Sequence, residues 1–571
     1  MTAATRGAAL RFGSRAIVYN RAVRGWIVLV LLAAAVLLAG IGRTAITESD
    51  EAYYAEAGRE MVERGDFLTP RFNYEPRFQK PILFYWMIAA CYRVLGVNEF
   101  AARAGSALAG LGIALVVYGL GRRWYGETTG LRAGTIAVTS LGCAAMARAS
   151  LPDMPLAFFI TAATAAGLVP LAGRVPHPRR WWLLAAAMAA LACLTKGPIG
   201  LVIPAVVLGP MMLFAQRQRR PSLGTLAAAA AVLAVIAIPW YAAMASTHGA
   251  GYLRGFFVGD NLERFATPRF NEPRSLLYYV PVVAAGLLPW SPLWIVAVPP
   301  IWRTLARRTM PRIETVALVL WTLAPLLLFS VSVGKQPRYV LPVLPALALA
   351  LARTLEPVIA PDRPAPPVQA RLLSWGVAIS ASFFLLMSVL VLRARPVLAA
   401  AGNSTSHLAA AVALACAVAV ALVAVSARVR LRLVPVMAAA STALVAAVQF
   451  GILARPGTDP VRQMAAHVAM HRRSAEAVAP YRAFTRNLVF YTHIQQADLY
   501  SRERLLAFLD SPDRVLCVMP AEEAEALAKE GRPLRRLAEV RQFDPSTARP
   551  RTLLNPDPAR DLQTIVLVAN R

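Results

Sequence analysis

Apolar runs long enough to cross a lipid bilayer recur from Gly25 to about Ala454. A hydrocarbon core takes about 20 apolar residues per helix. Backbone inside it has no water to bond, so each segment must satisfy itself as a helix. Most of this chain is therefore expected to be an α-helical membrane domain. With 57% hydrophobic and 16% charged residues, against about 25% charged in soluble domains, the 571 residues exclude a soluble enzyme, a disordered protein and a secreted disulfide scaffold.

The net charge of +29, from 60 basic and 31 acidic residues, would suggest nucleic acid on a soluble protein. In a membrane chain it reads as basic cytoplasmic loops, and no nucleic-acid partner is expected. Six short loops carry it: Arg122, Arg123 and Arg132; Arg174, Arg179 and Arg180; Arg217, Arg219 and Arg220; Arg303, Arg307, Arg308 and Arg312; Arg353, Arg363 and Arg371; Arg428, Arg430 and Arg432. The segment 47–98 mixes eight acids with six bases and belongs on the other side.

That alternation closes only if residues 82–97 do not span. This run is short and carries Arg93, so it reads as an interfacial or re-entrant helix. About thirteen spans follow, near 25–45, 99–120, 130–148, 153–172, 181–196, 197–215, 223–244, 276–300, 314–333, 338–354, 372–393, 407–427 and 433–454. The chain then divides into a cytoplasmic start at 1–24, a membrane domain at 25–454 with outer loops at about 46–98 and 245–275, and a final part at 455–571. Beyond Arg455 the apolar runs stop. Arg514–Met519 and Thr564–Val568 read as strands, Ser501–Leu509 and Ala521–Glu530 as helices. The final part is thus a small α/β domain outside the membrane.

The five cysteines are far apart and make no CxxC, and His467 and His471 lack an HExxH context. Neither set predicts a metal site. Lysine is more telling. The chain has four, Lys80, Lys196, Lys335 and Lys529, in a sequence that otherwise uses arginine. The first three fall at the outer face, each within two residues of a proline. Lysines at helix ends snorkel, but arginine serves that purpose as well. A compact ammonium suits a phosphate held at the lipid boundary.

Acids gather at the same face. Asp50 and Glu51 open an amphipathic stretch, 50–64; they suit a helix N-terminus or a general base. Asp153 stands where a span begins, as an N-cap or as a functional group at membrane depth. The loop from Gly249 to Tyr279 interleaves Arg254, Arg264, Arg269 and Arg274 with Phe256, Phe257, Phe265, Phe270, Tyr278 and Tyr279. It reads as an aromatic belt or as a seat for a lipid phosphate.

The segments ESDEAYYAEAGREMVERGDFLTPRFN, FQKPILFYW, LPDMPLAFF, LTKGPIGLVIP, GDNLERF and GKQPRYVLPVLPALAL occur in this order. Together they resemble the bacterial aminoarabinose transferase family and its relatives, including protein O-mannosyltransferases, among the GT-C membrane glycosyltransferases. The resemblance covers about residues 20–350. It implies an undecaprenyl- or other polyprenyl-phosphate sugar donor and inverting transfer on the periplasmic side of the inner membrane. The acceptor it implies is lipid A or lipopolysaccharide, another glycan or a protein.

By resemblance Asp50 is the carboxylate of the first outer loop and the general base, and Asp153 is the second catalytic acid. Lys80, Arg264, Lys335 and Tyr339 would meet the donor phosphate, with Glu51 and Tyr54 beside them. In one branch of the family a glutamate and a histidine hold a metal; here those positions are Gln79 and Asn261, with His248 the nearest outer-loop histidine. No cofactor is therefore expected. The rival reading is a polyprenyl-phosphate-binding protein or flippase without transferase activity, which would keep the lysines but not need Asp50. A secondary transporter is a weaker rival, since the spans carry almost no charge.

Overall fold

The computed structural model describes residues 25–571 except 48–49, 269–272, 309, 361–363, 426–428, 455–458, 533 and 544–549. The expected cytoplasmic start, and Asp362, Arg363 and Arg428, lie outside the described residues.

The chain begins with α1 (Gly25–Leu37), then α2 (Asp50–Arg64), the short hairpin β1–β2 (Arg71–Phe72, Glu75–Pro76) and α3 (Leu83–Leu95). α4 (Glu99–Tyr125), α5 (Glu127–Thr139), α6 (Leu141–Ala147), α7 (Asp153–Ala172), α8 (Pro178–Lys196), α9 (Ile199–Phe214) and α10 (Leu223–His248) follow. Local chemistry sets several boundaries. Asn98 caps α4 by accepting the Ala101 N–H at 2.9 Å, and Gly126, at φ 96°, makes the corner into α5.

Among the described residues eight helices are long and apolar enough to cross a membrane, or ten if each of two bent pairs is one span. The bent pairs are α5 with α6, at 61°, and Leu276–Gly286 with Ser291–Ala306, at 104°. The other expected spans fall on α1, α8 and α9, which are shorter or more polar. The run 82–97 holds only the 13-residue α3.

Small residues let the central helices approach closely. A Cβ on Gly130 of α5 would stand 2.6 Å from the Tyr118 carbonyl of α4, and one on Gly121 would stand 2.9 Å from Gly130 itself. α7 is enclosed by its neighbours, whereas α10 turns most of its apolar surface outward, including Leu223, Val235 and Ile238. Arg123 donates to the Arg174 carbonyl, Arg219 to the Ala172 carbonyl, and Arg353 lies over Tyr125. These basic groups share one end of the bundle. Asp153, Lys196 and Arg338 are at the opposite end.

After helix Pro460–His471 comes a four-stranded sheet in the order β3-β4-β6-β5, with β3 (Val478–Pro480), β4 (Leu516–Pro520), β5 (Arg535–Gln542) and β6 (Gln563–Ala569). Helices Arg502–Leu509 and Ala521–Lys529 cover it. β4 and β6 are the expected strands. β3 is too short to show in the sequence, and β5, RRLAEVRQ, is a polar edge strand with no apolar alternation.

This unit is fastened to the end of the bundle that holds Asp153. Tyr491 donates to Glu99 at 2.9 Å and accepts from the Ile46 N–H at 2.7 Å. Asn73 and Gln496 exchange two hydrogen bonds, at 2.9 and 2.8 Å. His467 and His471 stack on one helix face; no group of three or more metal-binding side chains occurs among the described residues.

Candidate functional site

α2 lies across this same end of the bundle and sets two adjacent carboxylates to different tasks. Glu51 is buried at 2% exposure. It takes Arg103 through both oxygens, at 2.8 and 2.9 Å, and the Ser150 N–H at 2.8 Å. Burial raises its pKa, but Arg103 outweighs that and holds the group below the usual carboxylate range. Removing one partner of such a buried pair costs about 3–5 kcal/mol. Glu51 thus ties α2 to α4 and is consumed in doing so, which corrects the expectation that it meets substrate. Tyr54 differs from expectation as well: it is 4% exposed, packed against Phe84 and Tyr85 behind the site.

Asp50, one residue earlier, faces outward. It accepts from Arg338 Nη2 at 2.5 Å. Arg338 Nε stands 3.7 Å from Asp153 Oδ2, and Lys196 Nζ is 2.5 Å from Asp153 Oδ1. Lys196 also lies over the Tyr339 ring, 5.1 Å from its centre. Two carboxylates and two cations thereby alternate as Asp50, Arg338, Asp153, Lys196. They come from the start of α2, the segment Pro337–Val343 that opens a span, the start of α7 and the end of α8.

Arg338, Asp153 and Lys196 border a cavity of about 100 Å³ whose charged lining is Lys80, Lys196, Arg264 and Arg338 against Asp153 and Asp260. Tyr339, Phe329, Phe265 and Ile203 supply its apolar wall. Four basic groups to two acids, in a confined space half-walled with hydrocarbon, suit an anion carried on a lipid. Lys80 reports the strain. Burial first, then the charges of Arg264 and Lys196, push its pKa down to about 7. Asp50 is held low: burial raises it, but Arg338, then Arg486 and Arg77, bring it below the usual range. Asp260 goes the other way, since burial outweighs Lys80 and Arg264.

The expected residues Asp50, Lys80, Asp153, Arg264 and Tyr339 are thus brought together. Lys335 is not among the cavity's lining. It is 5% exposed and donates to the Ser332 carbonyl, inside a loop that Val333 and Ser332 fasten to the Phe265 carbonyl. Arg338, three residues on, occupies the place foreseen for it. Arg338 and Lys196 were both within the segments singled out in the sequence. Lysine scarcity drew attention to Lys335 and away from the arginine. Glu48, Ser49, Arg269 and Phe270 lie outside the described residues.

The set that would be asked to hold a metal does not fit one. Gln79 is exposed. Asn261 spends its amide N–H on the Phe256 carbonyl, at 2.8 Å. His248 Nε2 is 2.8 Å from the Thr69 hydroxyl. Amides are weak ligands beside carboxylate or imidazole, and Lys80 adjoins Gln79.

The profile of the dolichyl-phosphate-mannose-protein mannosyltransferase family matches residues 27–248. An undecaprenyl phosphate-alpha-4-amino-4-deoxy-L-arabinose arabinosyl transferase of Proteus mirabilis is 31% identical over 338 residues, 58% of this chain and 60% of that protein. Its counterpart in Pseudomonas aeruginosa strain LESB58 is 34% identical over 311 residues, 54% of this chain and 55% of that one. The matched region thus spans somewhat over half the length of these curated relatives. The crystal structure of ArnT from Cupriavidus metallidurans bound to undecaprenyl phosphate superposes with a TM-score of 0.75 at 24% identity, covering 96% of this chain and 98% of that one. An oligosaccharyltransferase of Archaeoglobus fulgidus, AglB, is more distant, at 0.51 and 11%, over 92% of this chain and 73% of that one. These likenesses show a GT-C membrane fold, with sequence similarity to the arabinosyl transferases over somewhat more than half of this chain and to the mannosyltransferase family over residues 27–248.

Proposed function

We propose that this protein transfers a sugar from a polyprenyl-phosphate donor to an acceptor outside the cytoplasm, inverting the anomeric carbon. The alternation of Asp50, Arg338, Asp153 and Lys196 along a cationic, half-apolar cavity carries this reading. The donor phosphate sits among Lys80, Lys196, Arg264 and Arg338, with Tyr339 beside it. Its prenyl chain follows an apolar groove of about 530 Å³, lined by residues such as Met146, Val282, Leu341 and Leu344, that shares Arg338 with the cavity. A flippase would have use for these cations but not for a carboxylate poised on Arg338.

In the reaction the acceptor hydroxyl oxygen attacks C1 from the face opposite the phosphate. The C1–O bond breaks, and polyprenyl phosphate leaves with the electron pair. Asp50 accepts the hydroxyl proton as the new bond forms. A carboxylate held low is a weak base at rest, so the transfer is timed to bond formation, when the hydroxyl becomes acidic. Basic groups already in place meet the charge growing on the leaving oxygen. Asp153 positions Lys196 and Arg338. Arg338 touches both the base and the cavity, so a bound phosphate competes with Asp50 for its guanidinium.

We place the protein in a bacterial inner membrane with thirteen spans. On that topology the site and residues 455–571 lie on the periplasmic side, since the arginine-bearing ends of the helices are opposite the cavity. The acceptor class we propose is lipid A or another envelope glycan, which the resemblance implies; the relatives' names state the donor alone.

Two measurements test this. Full-length protein in vesicles, given a radiolabelled undecaprenyl-phosphate sugar and lipid A, should label the acceptor. Asp50→Asn should lower turnover about 10²–10⁴-fold while still binding undecaprenyl phosphate; near-normal turnover in a folded variant would remove Asp50 from the role. We further propose transfer without a resident metal, on the strength of the amides at Gln79 and Asn261. Activity should survive exhaustive chelation, and loss restored by one added metal would overturn this.

A further inference from the structure

At the arginine-bearing end of the bundle, opposite the donor cavity, a groove runs between α4 and α8. Both helices pack against α7 and scarcely touch each other. α7 meets the gap with Ala162, Ala165 and Ala166, so nothing large fills it, and an apolar trough of about 670 Å³ remains. That volume falls within the range of about 300–1,000 Å³ of sites that enclose small ligands. Gly119 of α4 widens it: a Cβ there would meet nothing within 4 Å. Leu184 and Met188 of α8 form the facing wall. Leu184 is exposed, so the trough has a side open to lipid.

One end of the trough is charged. Arg122 and Arg123, in the last turn of α4, close it together with Trp181. Arg122 pairs with Glu127 at 3.0 Å, and Arg123 reaches the Arg174 carbonyl at 3.4 Å. A guanidinium has more donors than either contact uses. Arg179 and Arg180 are exposed on the first turn of α8, next to Trp181. No acid occurs from Gly173 to Lys196, so that side of the mouth brings positive charge alone. An indole at the mouth suits the headgroup level of a bilayer. Arginines at a helix end snorkel to any headgroup, but snorkelling needs no trough beneath them. An apolar trough that ends in guanidinium groups complements an anion carrying a hydrocarbon chain.

We infer that this groove binds an anionic glycerophospholipid of the surrounding leaflet, with its phosphate on Arg122 and Arg123 and one acyl chain along α7. Such a lipid hangs two unbranched chains from one phosphate. A trough with an open side takes one chain and leaves the other in the bilayer. Bound there, the lipid joins α4 to α8 where the protein leaves them apart. On the proposed topology this is the cytoplasmic leaflet. The site is independent of the transfer reaction and shares no residue with the donor cavity.

The test is native mass spectrometry of the full-length protein in detergent, titrated with phosphatidylglycerol and, separately, with phosphatidylcholine. One phosphatidylglycerol should bind at least tenfold more tightly than phosphatidylcholine and should raise the melting temperature. The double variant Arg122→Ala/Arg123→Ala should lose that preference. Gly119→Leu, with both arginines in place, should weaken phosphatidylglycerol binding tenfold or more by filling the trough. Its side chain projects into open space, and leucine suits a helix better than glycine, so it keeps the test valid if the double variant misfolds. Equal affinity for the two lipids, or an unchanged preference in the double variant, would overturn the assignment. So would wild-type affinity in Gly119→Leu, which would mean that the arginines attract lipid without the groove. Displacement of phosphatidylglycerol by undecaprenyl phosphate, lost in Gly119→Leu, would make this a prenyl-phosphate site and refute the phospholipid reading.

Discussion

Lys80 is where the site's electrostatics become measurable. Its pKa, near 7 rather than the ordinary 10.5, is lowered by burial and by Arg264 and Lys196. A phosphate among these groups restores the charged form and raises the pKa again. Binding of a sugar phosphodiester, whose own charge is constant here, should therefore be tightest below about pH 7. It should weaken as pH rises above that, by up to about tenfold per unit, until the pKa of the bound state is reached. Lys80→Arg, which stays protonated throughout, should keep binding and flatten the profile. Binding curves from pH 6 to 9 decide this; an unchanged slope in Lys80→Arg would assign the titration to another group. Residue identity alone could nominate Lys80, Asp50 and Asp153, because their neighbours are local motifs. It could not separate Asp50 from Glu51. One is half-buried and the other sealed by Arg103, a partner 52 positions away, and adjacent carboxylates look alike until the chain has folded. Lys335 was misread for the same reason: the Ser332 carbonyl that takes its ammonium leaves no trace in the sequence.

At the scale of elements, helix existence was legible and helix engagement was not. Hydropathy locates most spans within a few residues, because lipid forces an apolar surface on each. The bends at Ser140 and between Gly286 and Ser291 were hidden inside continuous apolar runs, where side chains of one polarity say nothing about direction. Close approach leaves a fainter mark in small residues. At the crossing of α4 and α5, Gly130→Val would drive methyl groups into the Tyr118 carbonyl and the Arg122 amide. It should destabilise the protein by about 1–3 kcal/mol, seen as a lower melting temperature in detergent. Gly119→Ala, one turn along α4 with nothing within 4 Å of the added Cβ, is the matched control and should melt like the wild type.

For the whole molecule, the proposed topology makes a labelling prediction. An impermeant thiol reagent added outside should modify cysteines placed at Val97, in the outer corner before α4, and at Glu503, on an exposed helix of the C-terminal unit. A cysteine at Arg123, at the far end of α4, should be protected. Cys143, Cys193, Cys416 and Cys517 are buried and Cys91 half-buried, so the background is low. Labelling at Arg123 and not at Val97 would invert the orientation. The sequence implies this parity through its arginine-rich loops, and the labelling is what tests it. The docking of the α/β unit was illegible, since it depends on single pairs such as Asn73 with Gln496.

The contact between Asp50 and Arg338 joins positions 288 apart in the chain, and that distance governs how the protein is made. A nascent chain that has emerged as far as α10 already contains Asp50, Lys80, Asp153 and Lys196, but not the guanidinium that bridges the two aspartates. Until the segment beginning at Pro337 is synthesised, inserted and packed against α7, Asp50 and Asp153 do not share Arg338 and the proposed transfer cannot start. On the proposed reaction, chains stalled or cleaved before that point would be inert toward lipid-linked sugars. They would consume none, so competence would arrive late in synthesis.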